Sequence, residues 1–128
     1  MREVLKSGHG AHAEAGFFPV VINAWENGID GIFRGAPHVA IACASKAFPI
    51  APVDGVIALT YFELAAPSFG LGCCWAGFFD MALKNYPPLV KMLNLPSGHN
   101  AVGSIMFGFP SIKQHNIPYR NPADITWK

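Results

Sequence analysis

The pattern of apolar residues along the chain predicts an alternation of helices and strands. Apolar side chains recur at the three- and four-residue spacing of helices, and short apolar runs bounded by Gly or Pro are typical of buried strands. In chain order the pattern predicts a helix over 17–34, a strand over 38–44, a helix over 53–69, a strand over 72–79, a helix from Pro87 or Pro88 and a strand over 101–108. This order indicates an α+β fold in which helices pack a small sheet.

Residues that disfavour a helix interrupt or end both of these longer predicted helices. Asn27-Gly28 weakens the middle of the first helix, which favours two pieces. Pro67 kinks or ends the second helix, because proline lacks the N–H that a helix interior needs, and Gly70 is a good terminator. Residues 1–16 are poorly defined, with at most a short helix over 2–6. Residues 109–128 contain several prolines and predict an extended tail.

The composition suggests a chain that does not stand alone. Apolar residues make up 52% of it and charged residues only 13%, whereas soluble domains carry about a quarter charged residues. Either part of the surface is buried against a partner, or the chain is a piece of a larger fold. We therefore expect one partial domain over residues 1–128 that forms an oligomer.

The same numbers exclude some functions and locations. No apolar stretch reaches the ~20 residues of a membrane span, and the start of the chain has no signal-peptide core. A net charge of +1 without a basic run gives no support for nucleic-acid binding. Three cysteines, Cys43, Cys73 and Cys74, are read as reduced thiols of a cytoplasmic protein.

The segment from Phe69 to Gly77 is the strongest candidate for chemistry. A helix end meets a strand here, and its glycines permit close approach of the backbone to another group. Taken alone, the segment is more simply a helix-to-strand connection with aromatic core residues.

Several motifs in collinear order nevertheless resemble the FMN-dependent nitroreductase family over about residues 20–128. The long helix that leads into Gly-Leu-Gly-Cys-Cys-Trp-Ala-Gly (54–77) matches the middle of the family's domain. The turn Leu-Asn-Leu-Pro-Ser-Gly (93–98) and the strand end Gly-Phe-Pro (108–110) match further along. The tail (117–127) resembles that of the subgroup often fused behind a ferredoxin domain. The resemblance implies a nitroreductase-type fold and a homodimer whose C-terminal arms wrap the partner subunit.

The resemblance also implies flavin chemistry. Family members reduce small organic substrates by hydride transfer through N5 of FMN, with a nicotinamide donor or, in some settings, ferredoxin as the electron source. By motif position, Trp75, Ala76, Gly77 and Phe78 would lie along the isoalloxazine, and the amide of Gly77 or Phe78 would donate toward N5. Arg120 matches the tail arginine that pairs with the FMN phosphate, for which a guanidinium fork is well suited.

One departure from the family pattern bears on activity. The basic Arg-x-Ser-x-Arg segment on which the FMN phosphate depends has no match, so the domain reads as truncated at the N-terminus. We expect one chain alone to bind FMN weakly or not at all, and whether it is an enzyme stays open. The iron–sulfur cysteine run of the fused subgroup is also absent from the sequence.

Two alternatives remain at this point. The chain could be a non-catalytic member that dimerises without binding FMN, or a small metal- or ligand-binding module. His9 and His12, at i and i+3, are the candidate metal ligands, although no third ligand is obvious. Trp25 and Trp127 are expected to anchor their segments by burial.

Overall fold

The structure, a computed structural model, describes residues 18–112, 115–116 and 118–128. The helices described are α1 (Phe18–Glu26), α2 (Ala51–Ala65), α3 (Gly77–Asn85) and α4 (Pro87–Met92), and the strands are β1 (His38–Ser45), β2 (Gly72–Trp75) and β3 (His99–Gly108). The α+β architecture predicted from the sequence is confirmed. The segment 1–16, with His9 and His12, lies outside the described residues.

The strands form an antiparallel sheet in the order β1-β3-β2, with β3 at the centre. Val39 and Ile41 of β1 lie opposite Met106 and Ser104 of β3. Trp75, the last residue of β2, lies opposite Ile105. Because neighbouring residues on a strand point to opposite faces, Ser104 and Met106 face one side of the sheet and Ile105 faces the other.

Helix α2 begins and ends where its sequence allows. Pro52 lies in the first turn, where its missing N–H costs nothing, and Asp54 is well placed for the positive end of the helix. After Ala65 the chain tightens into a 3-10 turn, Ala66–Phe69, that contains Pro67. Gly70 closes this turn at φ 72°, a left-handed conformation that favours glycine. The predicted helix over 53–69 is thus an α-helix that ends before Pro67.

One face of α2 packs on the sheet. Gly55 lies so close to Val102 of β3 that a Cβ at position 55 would overlap the Val102 side chain. Leu59 is buried, and Phe62 makes an edge-to-face contact with Phe107 at a centroid distance of 5.1 Å. This close packing covers one face of the sheet.

The opposite face of α2 is also apolar but remains uncovered in the single chain. Its large side chains are about half exposed or more: Val53, Ile57, Tyr61 and Leu64. These four recur at helical spacing and form one stripe, which we call the outer face of α2. A helix that is apolar on both sides normally has both sides buried.

Helix α3 packs against the other face of the sheet. Ala76, Phe79 and Leu83 form a buried cluster with Met106 of β3. Phe33, from the turns after α1, packs on Phe79 at a centroid distance of 5.1 Å. The sheet is therefore held between α2 on one side and α3 on the other.

The turns that carry Phe33 are held by one carboxylate. Asp30 accepts hydrogen bonds from the backbone N–H groups of Ile32, Phe33 and Gly35, at 2.9–3.1 Å. The chain leaves the helical path at Asn27, and Gly28 adopts φ 75°. The weak point at Asn27-Gly28 is confirmed as the end of the helix, and turns follow in place of a second helical piece.

From residue 109 onward, the described residues belong to no helix or strand, and all of them are exposed. Trp127 is 88% exposed in this segment, and Trp25 of α1 is 70% exposed. The prediction that these two tryptophans anchor the chain by burial is wrong for the single chain. Within the described ranges, none of the helices is both long and apolar enough to cross a membrane.

Candidate functional site

The segment singled out for chemistry changes from strand to helix at Ala76. The segment 72–79, predicted as a strand that runs into a loop, is a strand only as far as Trp75, and Gly77 and Phe78 open α3 in place of a loop. The Ala76 N–H still donates to the Ser104 carbonyl across the sheet, at 2.9 Å, but the Ala76 carbonyl accepts from Phe79 and Asp80. The prediction missed this helix because a short apolar run does not distinguish a strand from a buried helix.

Gly77 presents an open stretch of backbone at the first turn of α3. The residue is exposed, and a Cβ added to it would meet no atom within 4 Å. Among the residues that the structure describes, none accepts a hydrogen bond from the Gly77 N–H. The described chain therefore does not itself require glycine here, and the amide is available to a group outside it.

Trp75 is fixed on the α2 side of the sheet. Its indole Nε1–H donates to the Glu63 carboxylate at 2.9 Å. A Cβ at Gly103 would lie 3.3 Å from the indole ring, so the ring packs closely against β3. The sequence offered one signal for Glu63, which is the only charged residue between Asp54 and Asp80.

Ser104 ties the first turn of α3 to the centre of the sheet. Its side chain is fully buried on β3, and its hydroxyl donates to Asp80 Oδ1 at 2.5 Å. Its carbonyl accepts the N–H of Ala76, as described above. Neither Ser104 nor Asp80 belongs to a sequence motif, although Ser104 stands out as a hydroxyl in the apolar strand 101–108.

The cysteines near the segment are free thiols. Burial raises the pKa of Cys73, and the nearby Glu63 carboxylate and Cys74 add to this effect. A thiol with a raised pKa is a poor nucleophile at neutral pH. Cys43 and Cys74 are exposed, and neither they nor Cys73 form a disulfide.

Arg120, the fifth predicted site residue, lies in the exposed tail. No hydrogen bond or ion pair joins it to any residue that the structure describes. Trp75, Ala76, Gly77 and Phe78 are consecutive residues where β2 gives way to α3, and the structure does not join Arg120 to them.

Two hollows lie elsewhere on the described surface. A groove of about 570 Å³ runs along α1 and the following turns, where Val21, Trp25 and Phe33 line it. A smaller hollow of about 220 Å³ lies between α3, α4 and β3, and Asp80 is one of the residues that line it. No group of three or more potential metal ligands occurs within the described ranges. Nδ1 of His99 lies 3.0 Å from the Ser97 carbonyl oxygen, within hydrogen-bond distance.

Comparison with known proteins assigns the family. The sequence model of the Nitroreductase family matches residues 3–109, and the chain belongs to this family. The match includes the turn at Ala76 and Gly77 and stops before Arg120. No curated protein matches the chain.

Solved structures agree with the fold. A nitroreductase with bound FMN from Bacteroides fragilis NCTC 9343 is similar at 20% identity and a TM-score of 0.56, over 74% of this chain and 54% of that chain. Two proteins named as candidate NADH dehydrogenases/NAD(P)H nitroreductases are similar as well. The one from Bacteroides thetaiotaomicron VPI-5482 has 25% identity and a TM-score of 0.51, with coverage of 67% and 51%. The one from Parabacteroides distasonis ATCC 8503 has 23% identity and a TM-score of 0.54, with coverage of 80% and 62%.

These comparisons confirm the nitroreductase-type fold. The chain spans only about half to three fifths of the length of the structures it matches.

Proposed function

We propose that this chain contributes one part of the FMN site of a nitroreductase-type oxidoreductase that acts on small organic substrates. The observation that carries the proposal is the first turn of α3, where the exposed Gly77 offers an N–H without an acceptor among the described residues. The family match includes this turn.

The residues around Gly77 suit a flat cofactor. No other atom of the described residues lies within 4 Å of a Cβ position at Gly77, so this side of the backbone is open to a ring. Ala76 is buried and Phe78 half-buried, which leaves a short stretch of main chain as the contact surface. When bound, FMN supplies hydride chemistry at its N5 atom. The chain's part is to bind and orient the ring, with Gly77 or Phe78 as the amide that faces N5.

Arg120 is the residue we assign to the FMN phosphate. It lies in an exposed segment without an ion-pair partner among the described residues, so its guanidinium is available for a phosphate. A nicotinamide donor or ferredoxin would deliver the electrons.

A second copy of the chain is the partner that the surface supports best. The outer face of α2 leaves Tyr61 and Leu64 about 70% exposed, and the tail leaves Tyr119 and Trp127 88% exposed. Apolar patches of this kind mark interaction surfaces. We infer a homodimer in which α2 and the tail pack against the other subunit. Three free thiols fit a reducing compartment, so we place the protein in the cytoplasm.

Visible absorbance tests the proposed cofactor directly. The purified chain is mixed with FMN, freed of excess and measured, beside Gly77→Val and the control Gly31→Ala. A side chain at Gly77 fills open space, and a Cβ at Gly31 makes only ordinary contacts from 3.6 Å outward, so both variants should fold. The weak binding expected of one chain alone applies to the monomer. In the homodimer inferred above, we expect the wild type and Gly31→Ala to retain flavin and Gly77→Val to lose it.

Other outcomes would change the proposal. Equal flavin retention by all three proteins would remove Gly77 from the site. No retention by the wild type would favour the non-catalytic alternative, a family member that dimerises without a cofactor.

A further inference from the structure

The chain on both sides of Gly77 is hydrogen-bonded to a single residue that does not reach the open surface. Ser104 lies on the central strand and is fully buried. Two of its polar groups are bonded to the start of α3, the carbonyl to the Ala76 N–H and the hydroxyl to the Asp80 carboxylate. These bonds attach to the chain immediately before Gly77 and three residues after it.

The hydrogen bonds form a closed loop around Gly77. The Asp80 N–H donates to the Ala76 carbonyl at 3.0 Å, while the Asp80 side chain accepts from Ser104. Ala76 and Asp80 are therefore bonded both to each other and to Ser104. Helix α3 has no side-chain cap at its N-terminus, so its first turn lacks the usual local support. Ser104 supplies that support from the neighbouring strand.

The sheet holds Ser104 itself in place. Ser104 pairs with Ile41 of β1, and its neighbour Ile105 is fully buried opposite Trp75 of β2. A hydroxyl in this setting cannot turn to water and must keep a protein partner. Its bond to Asp80 therefore transmits the rigidity of the central strand to the exposed turn.

We propose that Ser104, acting through Asp80, is a positioning residue that sets the direction and order of the Gly77 amide at the flavin site. The inference rests on the proposed FMN site. Loss of the Ser104 hydroxyl leaves the Asp80 carboxylate without its buried donor and frees the first turn of α3 to move. The amide then meets the flavin in a range of orientations, and binding weakens.

The experiment combines hydrogen exchange of the flavin-free chain with FMN titration. The variants are Ser104→Ala and Asp80→Ala, which remove the bond, and Asp80→Asn, which keeps an oxygen acceptor for Ser104. Ser68→Ala is the matched control, because the exposed Ser68 hydroxyl bonds only to the Ala65 carbonyl in the described chain. Phe62→Leu is a second control, since it loosens the contact with Phe107 on the α2 face of the sheet.

We expect faster exchange at the amides of Phe79 and Asp80 in Ser104→Ala and Asp80→Ala, by about tenfold. The FMN dissociation constant should rise about fivefold or more in the same two variants. Asp80→Asn and Ser68→Ala should behave as the wild type. Phe62→Leu should lower overall stability without selective exchange in the first turn of α3. The midpoint potential of bound FMN should move in Ser104→Ala and not in Ser68→Ala.

Hydrogen exchange and FMN binding test the positioning role of Ser104 separately from the proposed FMN site. Unchanged exchange in Ser104→Ala and Asp80→Ala overturns the positioning role, whatever the flavin does. Faster exchange with an unchanged FMN dissociation constant and potential overturns it as well, because the turn would then move without consequence for the site. A wild-type chain that binds no FMN defeats the proposed function and the role of Ser104 in it, while the exchange data still report whether Ser104 holds the turn.

Discussion

At the scale of single residues, Asp30 shows how one carboxylate organises the approach to the site. It holds the turns that present Phe33, and Phe33 packs on Phe79 of α3. Partial burial would raise the pKa of Asp30, but hydrogen bonds from the N–H groups of Phe33, Gly35 and Ile32 outweigh it and leave the pKa below its ordinary value. Asp30 therefore acts in its charged form.

The sign of the pH dependence follows from this lowered pKa. The charged carboxylate stabilises the fold above the unfolded-state pKa of about 3.9, and the contribution is lost as pH falls through the lower folded-state pKa. We expect Asp30→Asn to lower the free energy of unfolding at pH 7 by about 1–2 kcal/mol and to flatten its decline below about pH 4. Urea denaturation across this pH range measures both effects.

Asp124→Asn is the control for Asp30, because Asp124 lies exposed in the tail. Equal stability of Asp30→Asn and the wild type at neutral pH would show that the three backbone bonds to Asp30 contribute little to the fold.

Single residues also show which part of the candidate site could be predicted from the sequence. The motif drew attention to Gly77, which has open space at its Cβ position, and its role at a flavin stays a prediction. The partners that hold this region, Glu63, Asp80 and Ser104, were not predicted, because each acts on a residue more than ten positions away or across the sheet. Such pairings depend on tertiary structure, which local patterns do not contain.

At the scale of elements, the approach of α2 to the sheet depends on Gly55. We expect Gly55→Ala to destabilise the chain by about 1–3 kcal/mol, because the new methyl overlaps Val102 and lies 3.5 Å from Ala42. Alanine also gains up to about 1 kcal/mol of helix propensity over glycine, which reduces the loss but does not cancel it.

A double-mutant cycle with Val102→Ala isolates this contact. Removal of the Val102 side chain frees the space, so the double variant should be more stable than the sum of the two single changes predicts. Strict additivity in denaturation experiments would mean that α2 can shift away from the sheet at little cost.

The elements themselves were predicted with uneven success, for physical reasons. Helix α2 was predicted because its apolar residues keep a helical spacing over many positions and because Pro67 and Gly70 lie beyond its end. Helix α3 was missed because Gly77-Phe78-Phe79 continues the apolar run of β2 without a polar residue before Asp80. The strand ends there because the Ala76 carbonyl accepts from the N–H groups of Phe79 and Asp80 instead of pairing across the sheet.

At the scale of the whole molecule, the outer face of α2 predicts association. We expect the wild-type chain to sediment as a dimer, at twice the chain mass of 13.8 kDa. The double variant Tyr61→Glu/Leu64→Glu should sediment as a monomer, because burying charged side chains in an apolar interface costs free energy. Sedimentation velocity distinguishes these masses.

Met92→Glu is the control for the interface, since Met92 is 79% exposed in α4 rather than on α2. It should leave the mass unchanged. A monomeric wild-type chain would contradict the dimer, and a dimeric double variant would place the contact elsewhere than on α2.

The central position of β3 has a consequence for how the protein forms during synthesis. Strands β1 and β2 do not pair with each other. Each pairs with residues 99–108, which form the last strand that the structure describes. Ser45 must find His99, and His38 must find Phe107, so closing the sheet depends on contacts distant in sequence, which form slowly. On the ribosome, α2 and the first two strands therefore emerge before the strand that pairs with them in the described part of the chain. A translation pause before His99 would hold the chain in the state that chaperones bind and that aggregates most readily.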